Sequence, residues 1–237
     1  MTARRFDLPA SPSLRTARGV QATMGLVLLA LLPGIAAMTV FFGPGVLWQI
    51  VLAVIFALAL ETLMLRTRGM PLKPALTDLS APLTAVLFAL ALPPTAPWWM
   101  NLTGVAAAIV VAKHLFGGLG HNPFNPAMVG VAVVVLAFPA EYARWIAPGQ
   151  WDTLAQATPL DLVRQQVQQG YALSEIRANP VFGDFGGRWE WVANFYALGG
   201  LFLLWKRVIP WQTPVAVLGT TVLLTLPFWL YDPDANP

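Results

Sequence analysis

Residues 19–60 read GVQATMGLVLLALLPGIAAMTVFFGPGVLWQIVLAVIFALAL, and no Asp, Glu, Lys or Arg interrupts them. A helix needs roughly 20 apolar residues to cross the hydrocarbon core of a bilayer, which is about 30 Å thick. This stretch is long enough for two such helices, and Gly43-Pro44-Gly45 near its middle favours a break between them. The sequence therefore predicts two consecutive transmembrane helices, over 20–42 and 45–64.

The rest of the chain continues this pattern. Its 237 residues are 57% hydrophobic and 11% charged, whereas a soluble domain carries about 25% charged residues. Further apolar intervals predict spans at 79–94, 98–116, 127–145, 190–206 and 213–231. We therefore predict an all-α, polytopic integral membrane protein with about seven transmembrane helices. Because the first apolar run is too long for a signal peptide, we expect it to be retained as a span.

Charge across the predicted connections indicates an orientation. With the N-terminus in the cytoplasm, the cytoplasmic ends carry ten basic and three acidic residues, and the opposite side carries four basic and eight acidic residues. This asymmetry follows the positive-inside rule. The predicted organisation is listed in chain order as a cytoplasmic segment 1–19, five spans within 20–145, a long periplasmic loop 146–188, two spans within 189–231 and a periplasmic tail 232–237.

Composition also excludes several kinds of chemistry. The chain has no cysteine, which rules out disulfides, thiolate chemistry and cysteine-ligated clusters. Two histidines are too few for an ordinary histidine metal site, and no HExxH or paired-carboxylate pattern occurs. The basic residues lie scattered at span ends rather than in a stripe, so nucleic acid is not an expected partner. No catalytic acid, base or nucleophile and no metal ligand is predicted.

The stretch DTLAQATPLD, residues 152–161, lies in the long periplasmic loop. Thr158-Pro159 with Asp161 is typical of a helix start, because threonine is a good N-cap and proline is favoured at the first helical position. The following LVRQQVQQ suits a helix, which Gly170 can end. Thr158 can therefore be simply a cap. A helix N-terminus also binds phosphate well, so a phosphate ester on Thr158, formed by a separate enzyme, is the other interpretation.

The same stretch carries a resemblance to a known family. Asp152-x-x-x-x-Ala157-Thr158 resembles the flavinylation motif D-x-x-[ST]-[GS]-A-T of the NqrB/RnfD family, in which a flavin transferase links the phosphate of FMN to the threonine. Ala155 and Gln156 depart from that motif. The run GGLGHNPFNPAM at 117–128 resembles the signature loop of the family. LPGIAA at 32–37 and APWWM at 96–100 resemble the RnfD branch in particular.

The resemblance implies an electron-carrying subunit of an Rnf-type complex in a bacterial inner membrane, which passes electrons between NADH and ferredoxin and moves Na⁺ or H⁺. Thr158 would carry covalent FMN, with Asp152 and Ala157 in its motif, and Thr153 is the nearest other hydroxyl. The expected partners are the other Rnf subunits, the flavin transferase and membrane lipid. Members of the family continue into a further set of spans, which we expect this chain to lack.

The glycine-rich run 117–128 allows more than one interpretation. It can be a plain turn, or a broken helix that lines a polar cavity. The resemblance implies that Gly120, Asn122 and Asn125 bind a cofactor, which leaves room for a second flavin. The run also contains the aquaporin triplet NPA, but aquaporins need two such triplets and the chain has one.

Two other functions remain open beside the electron carrier. A secondary transporter without flavin would use broken helices with Asn and Pro at a midplane site, and a structural membrane scaffold would need neither. Some ionisable residues lie near predicted cytoplasmic span ends, where long side chains reach water by snorkelling. We expect that behaviour of Glu61, Asp78, Lys113 and His114.

Overall fold

A computed structural model describes residues 19–146, 159–172, 175–176 and 188–231, and every regular element in those ranges is a helix. The all-α prediction is confirmed for this part of the chain. The elements in chain order are α1 (Val20–Phe42), α2 (Gly45–Thr67), α3 (Leu72–Thr77), α4 (Ser80–Ala89), α5 (Trp98–Ala106), a π-helix (Ala107–His114), α6 (Pro126–Ala137), α7 (Pro139–Tyr142), α8 (Pro159–Gln168), α9 (Arg188–Trp205) and α10 (Gln212–Tyr231).

Of the described helices, α1 and α2 are long and apolar enough to cross a membrane. α1 ends at Phe42 and α2 begins at Gly45, as predicted. Gly43 between them has φ +83°, a left-handed conformation that glycine adopts without strain. α2 continues to Thr67, beyond the predicted end at residue 64.

The third and fifth predicted spans are shorter in the structure. α4 has 10 residues and α6 has 12, and at about 1.5 Å per residue neither crosses about 30 Å of hydrocarbon alone. α4 stops before Pro93-Pro94, and Phe138 separates α6 from α7 immediately before Pro139. A residue before proline is disfavoured in the helical region. Continuous helices over 79–94 and 127–145 are therefore wrong in extent, and seven complete spans stay a prediction.

Helices α2, α4, α5, α6 and the π-helix enclose one apolar core. Many of its members are alanines, which let helix backbones approach closely. Gly104 on α5 and Gly130 on α6 make the closest approach, because a Cβ built on Gly130 would lie 2.6 Å from the Gly104 carbonyl oxygen. The buried core residues include Ala53, Ala57, Ala81, Ala85, Phe88, Met100, Ile109 and Val134.

α9 packs along α1 and brings the C-terminal part of the chain back to the first helix. Gly199 lies against the backbone of Ala30, and Gly34 lies against the ring of Tyr196. A Cβ on either glycine would overlap its neighbour. Small residues at such crossings are typical of helix packing in membranes.

Large apolar side chains cover much of the outer surface. Leu136 is 82% exposed, and Leu218 and Leu223 on α10 are 66% and 70% exposed. Soluble monomers rarely expose contiguous apolar surface of this kind. The described helices therefore present the surface that a lipid bilayer or a neighbouring protein would cover.

Candidate functional site

Three ionisable side chains meet in the interior of the helix bundle. Glu61 lies near the end of α2, and Lys113 and His114 are the last two residues of the π-helix. Their exposed fractions are 2%, 3% and 5%. Lys113 Nζ lies 2.7 Å from Glu61 Oε1, and His114 Nε2 lies 3.0 Å from Glu61 Oε2. Each carboxylate oxygen of Glu61 thus faces one cationic or imidazole nitrogen.

Ser80 extends this group towards α4. Lys113 Nζ also donates a hydrogen bond of 2.8 Å to Ser80 Oγ. Ser80 is the first residue of α4, and its backbone N–H donates to Asp78 Oδ1 at 2.7 Å. Leu79 between them has φ +63°, and such strained backbone is concentrated at functional sites. We call Glu61, Lys113, His114 and Ser80 the charged cluster.

The π-helix explains how two consecutive residues reach one carboxylate. Its backbone N–H groups bond five residues back, as Leu115 N–H does to the Val110 carbonyl at 3.0 Å. This wider helix turns less per residue than an α-helix, so Lys113 and His114 diverge less around the axis. π-Helical segments inside α-helices occur frequently at functional sites.

Arg68 sets the tautomer of His114. Its Nη1 lies 3.4 Å from His114 Nδ1, and a guanidinium can only donate. Nδ1 therefore accepts, and in the neutral ring the proton is assigned to Nε2. Nε2 faces Glu61 Oε2 at 3.0 Å, but the alignment lies outside hydrogen-bond geometry, so we treat this contact as electrostatic.

The cluster corrects one prediction from the sequence. Snorkelling to water is wrong for Glu61, Lys113 and His114, because all three are buried and face one another. Desolvating a lone ion costs several kcal/mol, so a buried charge needs a partner. Asp78 differs, because it is partly exposed and caps α4. A usable signal was present in the sequence, since opposite charges on neighbouring apolar segments are functional candidates.

A cavity of about 290 Å³ adjoins the charged cluster. One part of its wall is apolar, and the other part carries hydroxyl, amide and ammonium groups. The apolar lining residues are Met24, Leu83, Leu87, Leu119 and Pro126, and the polar ones are Ser80, Thr84, Lys113, Asn122 and Asn125.

Two of the three loop residues predicted to bind a cofactor lie on this cavity wall. Asn122 Nδ2 donates to the Phe124 carbonyl at 2.8 Å, and Asn125 Oδ1 accepts from Ala127 N–H at 3.0 Å as the N-cap of α6. A carboxamide has a donor end and an acceptor end, so each side chain keeps one end for a ligand. Gly120 is exposed, with φ +86°, and belongs to the turn rather than to the wall.

The predicted attachment site lies outside the described residues. This holds for Thr158, for Asp152 and Ala157 of its motif, and for Thr153. The helix expected after Thr158 is present, because α8 begins at Pro159. Gly170, with φ +82°, follows its end as predicted.

A second buried polar pair lies nearer the start of α2. Gln49 is 1% exposed and Asn101 on α5 is 0% exposed. Asn101 Nδ2 donates to the carbonyl and to Oε1 of Gln49, at 3.0 and 2.8 Å. Gln49 Nε2 donates to the Ala96 carbonyl at 2.5 Å. We call Gln49 and Asn101 the amide pair.

Comparison with known sequences now places the chain. The sequence profile of the NQR2, RnfD, RnfE family matches residues 8–237. The chain belongs to this family. The resemblance found in the flavinylation motif and in the 117–128 loop is thereby confirmed at the level of the family.

Curated relatives within the NQR2, RnfD, RnfE family share one name, which describes the type D subunit of an ion-translocating oxidoreductase complex. The protein of Aeromonas hydrophila is 42% identical over 98% of this chain and 75% of its own length. The protein of Cronobacter sakazakii is 40% identical over 97% of this chain and 75% of its length. That of Salmonella typhimurium is 39% identical over 96% and 74%. With the apolar helices α1 and α2, this membership makes the chain a bacterial membrane protein.

Proposed function

We propose that this chain is the electron-carrying RnfD component of an Rnf-type complex in a bacterial inner membrane. The complex would couple electron transfer between NADH and ferredoxin to the movement of Na⁺ or H⁺, and the other Rnf subunits would be its partners. The observation that carries this proposal is the identity of 42% over 98% of the chain to a protein named as a component of an ion-translocating oxidoreductase complex.

The first cofactor we propose is FMN, joined through its phosphate to the hydroxyl of Thr158 by a flavin transferase. The motif residues Asp152 and Ala157 support this position. The start of α8 at Pro159 also supports it, because a helix N-terminus presents free N–H groups and a partial positive charge to a phosphate. By the positive-inside orientation, this cofactor lies on the periplasmic side.

The second cofactor we propose is a flavin ring held without a covalent bond in the cavity beside the charged cluster. An isoalloxazine has one apolar edge and one edge of N–H and carbonyl groups. The cavity offers apolar contacts through Leu83 and Leu87 and polar contacts through Asn122, Asn125 and Lys113. Its volume of about 290 Å³ is near the lower end of ligand pockets, about 300–1,000 Å³. It therefore suits a ring system better than a whole nucleotide. A bound flavin would supply electron storage and transfer, and the protein would hold and tune it.

Covalent attachment is tested on chain produced together with its flavin transferase. We expect flavin fluorescence that survives denaturation in a gel, and an intact mass raised by one FMN ester. Thr158→Ala should abolish both signals, because no other hydroxyl occupies the motif position. Thr153→Ala is the matched control and should keep both.

Two results would contradict the attachment. Fluorescence that persists in Thr158→Ala would move the ester to another residue, with Thr153 the first to examine. A chain without any flavin would favour a transporter or a scaffold over an electron carrier.

A further inference from the structure

The charged cluster connects the cavity with the exposed part of the 115–125 loop. Arg68 is exposed and contacts His114 Nδ1 at 3.4 Å. His114 Nε2 faces Glu61 Oε2 at 3.0 Å, and Glu61 Oε1 accepts from Lys113 Nζ at 2.7 Å. Lys113 Nζ then donates to Ser80 Oγ at 2.8 Å. Lys113 and Ser80 both line the cavity, so the series of contacts ends at its wall.

Structural stability alone does not require these ions. A buried ion pair seldom stabilises a protein more than apolar residues of similar volume would. The helices around it are packed by alanines and other apolar side chains, which shows that this bundle needs no charges to hold together. Ionisable residues inside a membrane protein are therefore better explained by a task.

The charge balance of the cluster favours proton transfer over anion binding. Glu61 neutralises Lys113 at 2.7 Å, so the pair as a whole attracts an anion only weakly. An ammonium group has three N–H bonds. Two of them bond Glu61 Oε1 and Ser80 Oγ, and the third is left for an acceptor in the cavity. Glu61 Oε2 has no hydrogen-bond partner among the described residues, and this oxygen can take up a proton.

We propose that His114, Glu61 and Lys113 form a proton-transfer route from the exposed loop to the cavity. The proposal rests on the proposed function, because the proton acceptor is the flavin ring proposed there. The electron that accompanies the proton comes from a one-electron carrier of the flavin or iron–sulfur class in the same complex, and it stays on the ring.

Each step of the route conserves protons. An Nζ–H bond of Lys113 breaks, its proton moves into the cavity, and a neutral amine remains beside Glu61. The Nε2 proton of His114 moves to Glu61 Oε2, and rotation of the carboxyl group delivers it to Lys113 Nζ. His114 takes a replacement proton from water at Nδ1 when the exposed Arg68 side chain moves aside, and a flip of its ring restores the first tautomer. One proton enters for each one delivered.

The experiment uses the assembled complex and compares Lys113→Arg with Lys113→Met. Arginine keeps the positive charge but does not release a proton, so it separates a proton donor from a fixed charge. Reduction of the cavity flavin by dithionite is followed by stopped flow, and proton uptake by a pH indicator in weak buffer. We expect both variants to slow both signals about a hundredfold, which is typical for loss of a general acid. Lys73→Met, at an exposed lysine on α3, should leave both unchanged.

Flavin content decides which proposal a negative result concerns. Wild-type complex that releases no flavin on denaturation, apart from the covalent one, overturns the cavity flavin and the route with it. Bound flavin with wild-type reduction and proton uptake in Lys113→Arg overturns the route alone. If a Lys113 variant does not assemble, Glu61→Gln has nearly the same shape without the charge and should show the same slowing. Wild-type proton uptake in Glu61→Gln would also overturn the route.

Discussion

Helix α2 carries two buried polar sites that differ in kind. The amide pair contributes Gln49 near its start, and the charged cluster contributes Glu61 twelve residues later, about 18 Å along the axis. Gln49 bonds a neighbouring amide and a backbone carbonyl. Glu61 contacts side chains that can themselves gain or lose protons. One helix thus holds a neutral site and an ionic site in the same apolar core.

The difference in partners separates a structural role from a chemical one. Gln49 and Asn101 tie the 90–97 connection to α2 and α5, since Ala96 in that connection accepts from Gln49. Neutral amides serve this purpose without the desolvation cost of ions. The charged cluster adjoins a cavity and includes two residues of its wall. The same core therefore uses amides where a turn must be held and ions where protons can move.

The largest effect that would sharpen this comparison is expected from Glu61→Ala. Removing the carboxylate leaves the Lys113 ammonium buried without its counter-charge, which typically costs about 3–5 kcal/mol. The measurement is the unfolding midpoint of the purified chain in detergent, followed by circular dichroism. Lys73→Met is again the control. A Glu61→Ala chain as stable as wild type would mean that Lys113 is not held as a buried ion.

A smaller loss of stability is expected from Asn101→Ala. The change removes the donor to Gln49 Oε1 and to the Gln49 carbonyl, and an unsatisfied buried polar group costs about 1–3 kcal/mol. Because this site has no proposed part in proton movement, proton uptake on reduction should stay at the wild-type rate in the assembled complex. Slowed uptake in Asn101→Ala would remove the functional distinction between the two sites. Asn194→Ala, at an exposed asparagine on α9, is the matched control.

Much of the fold was predictable because hydrophobic length and proline positions are local signals. The starts of α1, α2 and α5 coincide with those predicted, and the helix after Thr158 begins where its proline indicates. The helix lengths of α4 and α6 were not predictable from apolar composition. Pro93 and Pro139 end regular helix inside segments that remain apolar throughout, so hydropathy alone overestimates both lengths.

The candidate site was predictable only in part. Asn122 and Asn125 belong to a recognisable loop, and both lie at the cavity. The charged cluster depends on pairing between α2, α4 and the π-helix, with 52 residues between Glu61 and Lys113. Position near a span end is compatible with snorkelling and with burial, and only the packing of the helices decides between them. The π-helix, which directs Lys113 and His114 to one carboxylate, has no counterpart in a hydropathy pattern.

The smallest change in stability is expected from the double variant Glu61→Gln with Lys113→Met. Removing both charges together leaves no unpaired ion, and replacing a buried ion pair by neutral groups of similar volume is often close to neutral, within about 1 kcal/mol. The double variant should thus be more stable than Glu61→Ala, as a double-mutant cycle would measure. Proton uptake at the cavity should nevertheless remain as slow as in Lys113→Met. That combination, recovered stability without recovered proton movement, would assign the ions to chemistry. A double variant as unstable as Glu61→Ala would instead make the ion pair a structural element, like the amide pair at the other end of α2.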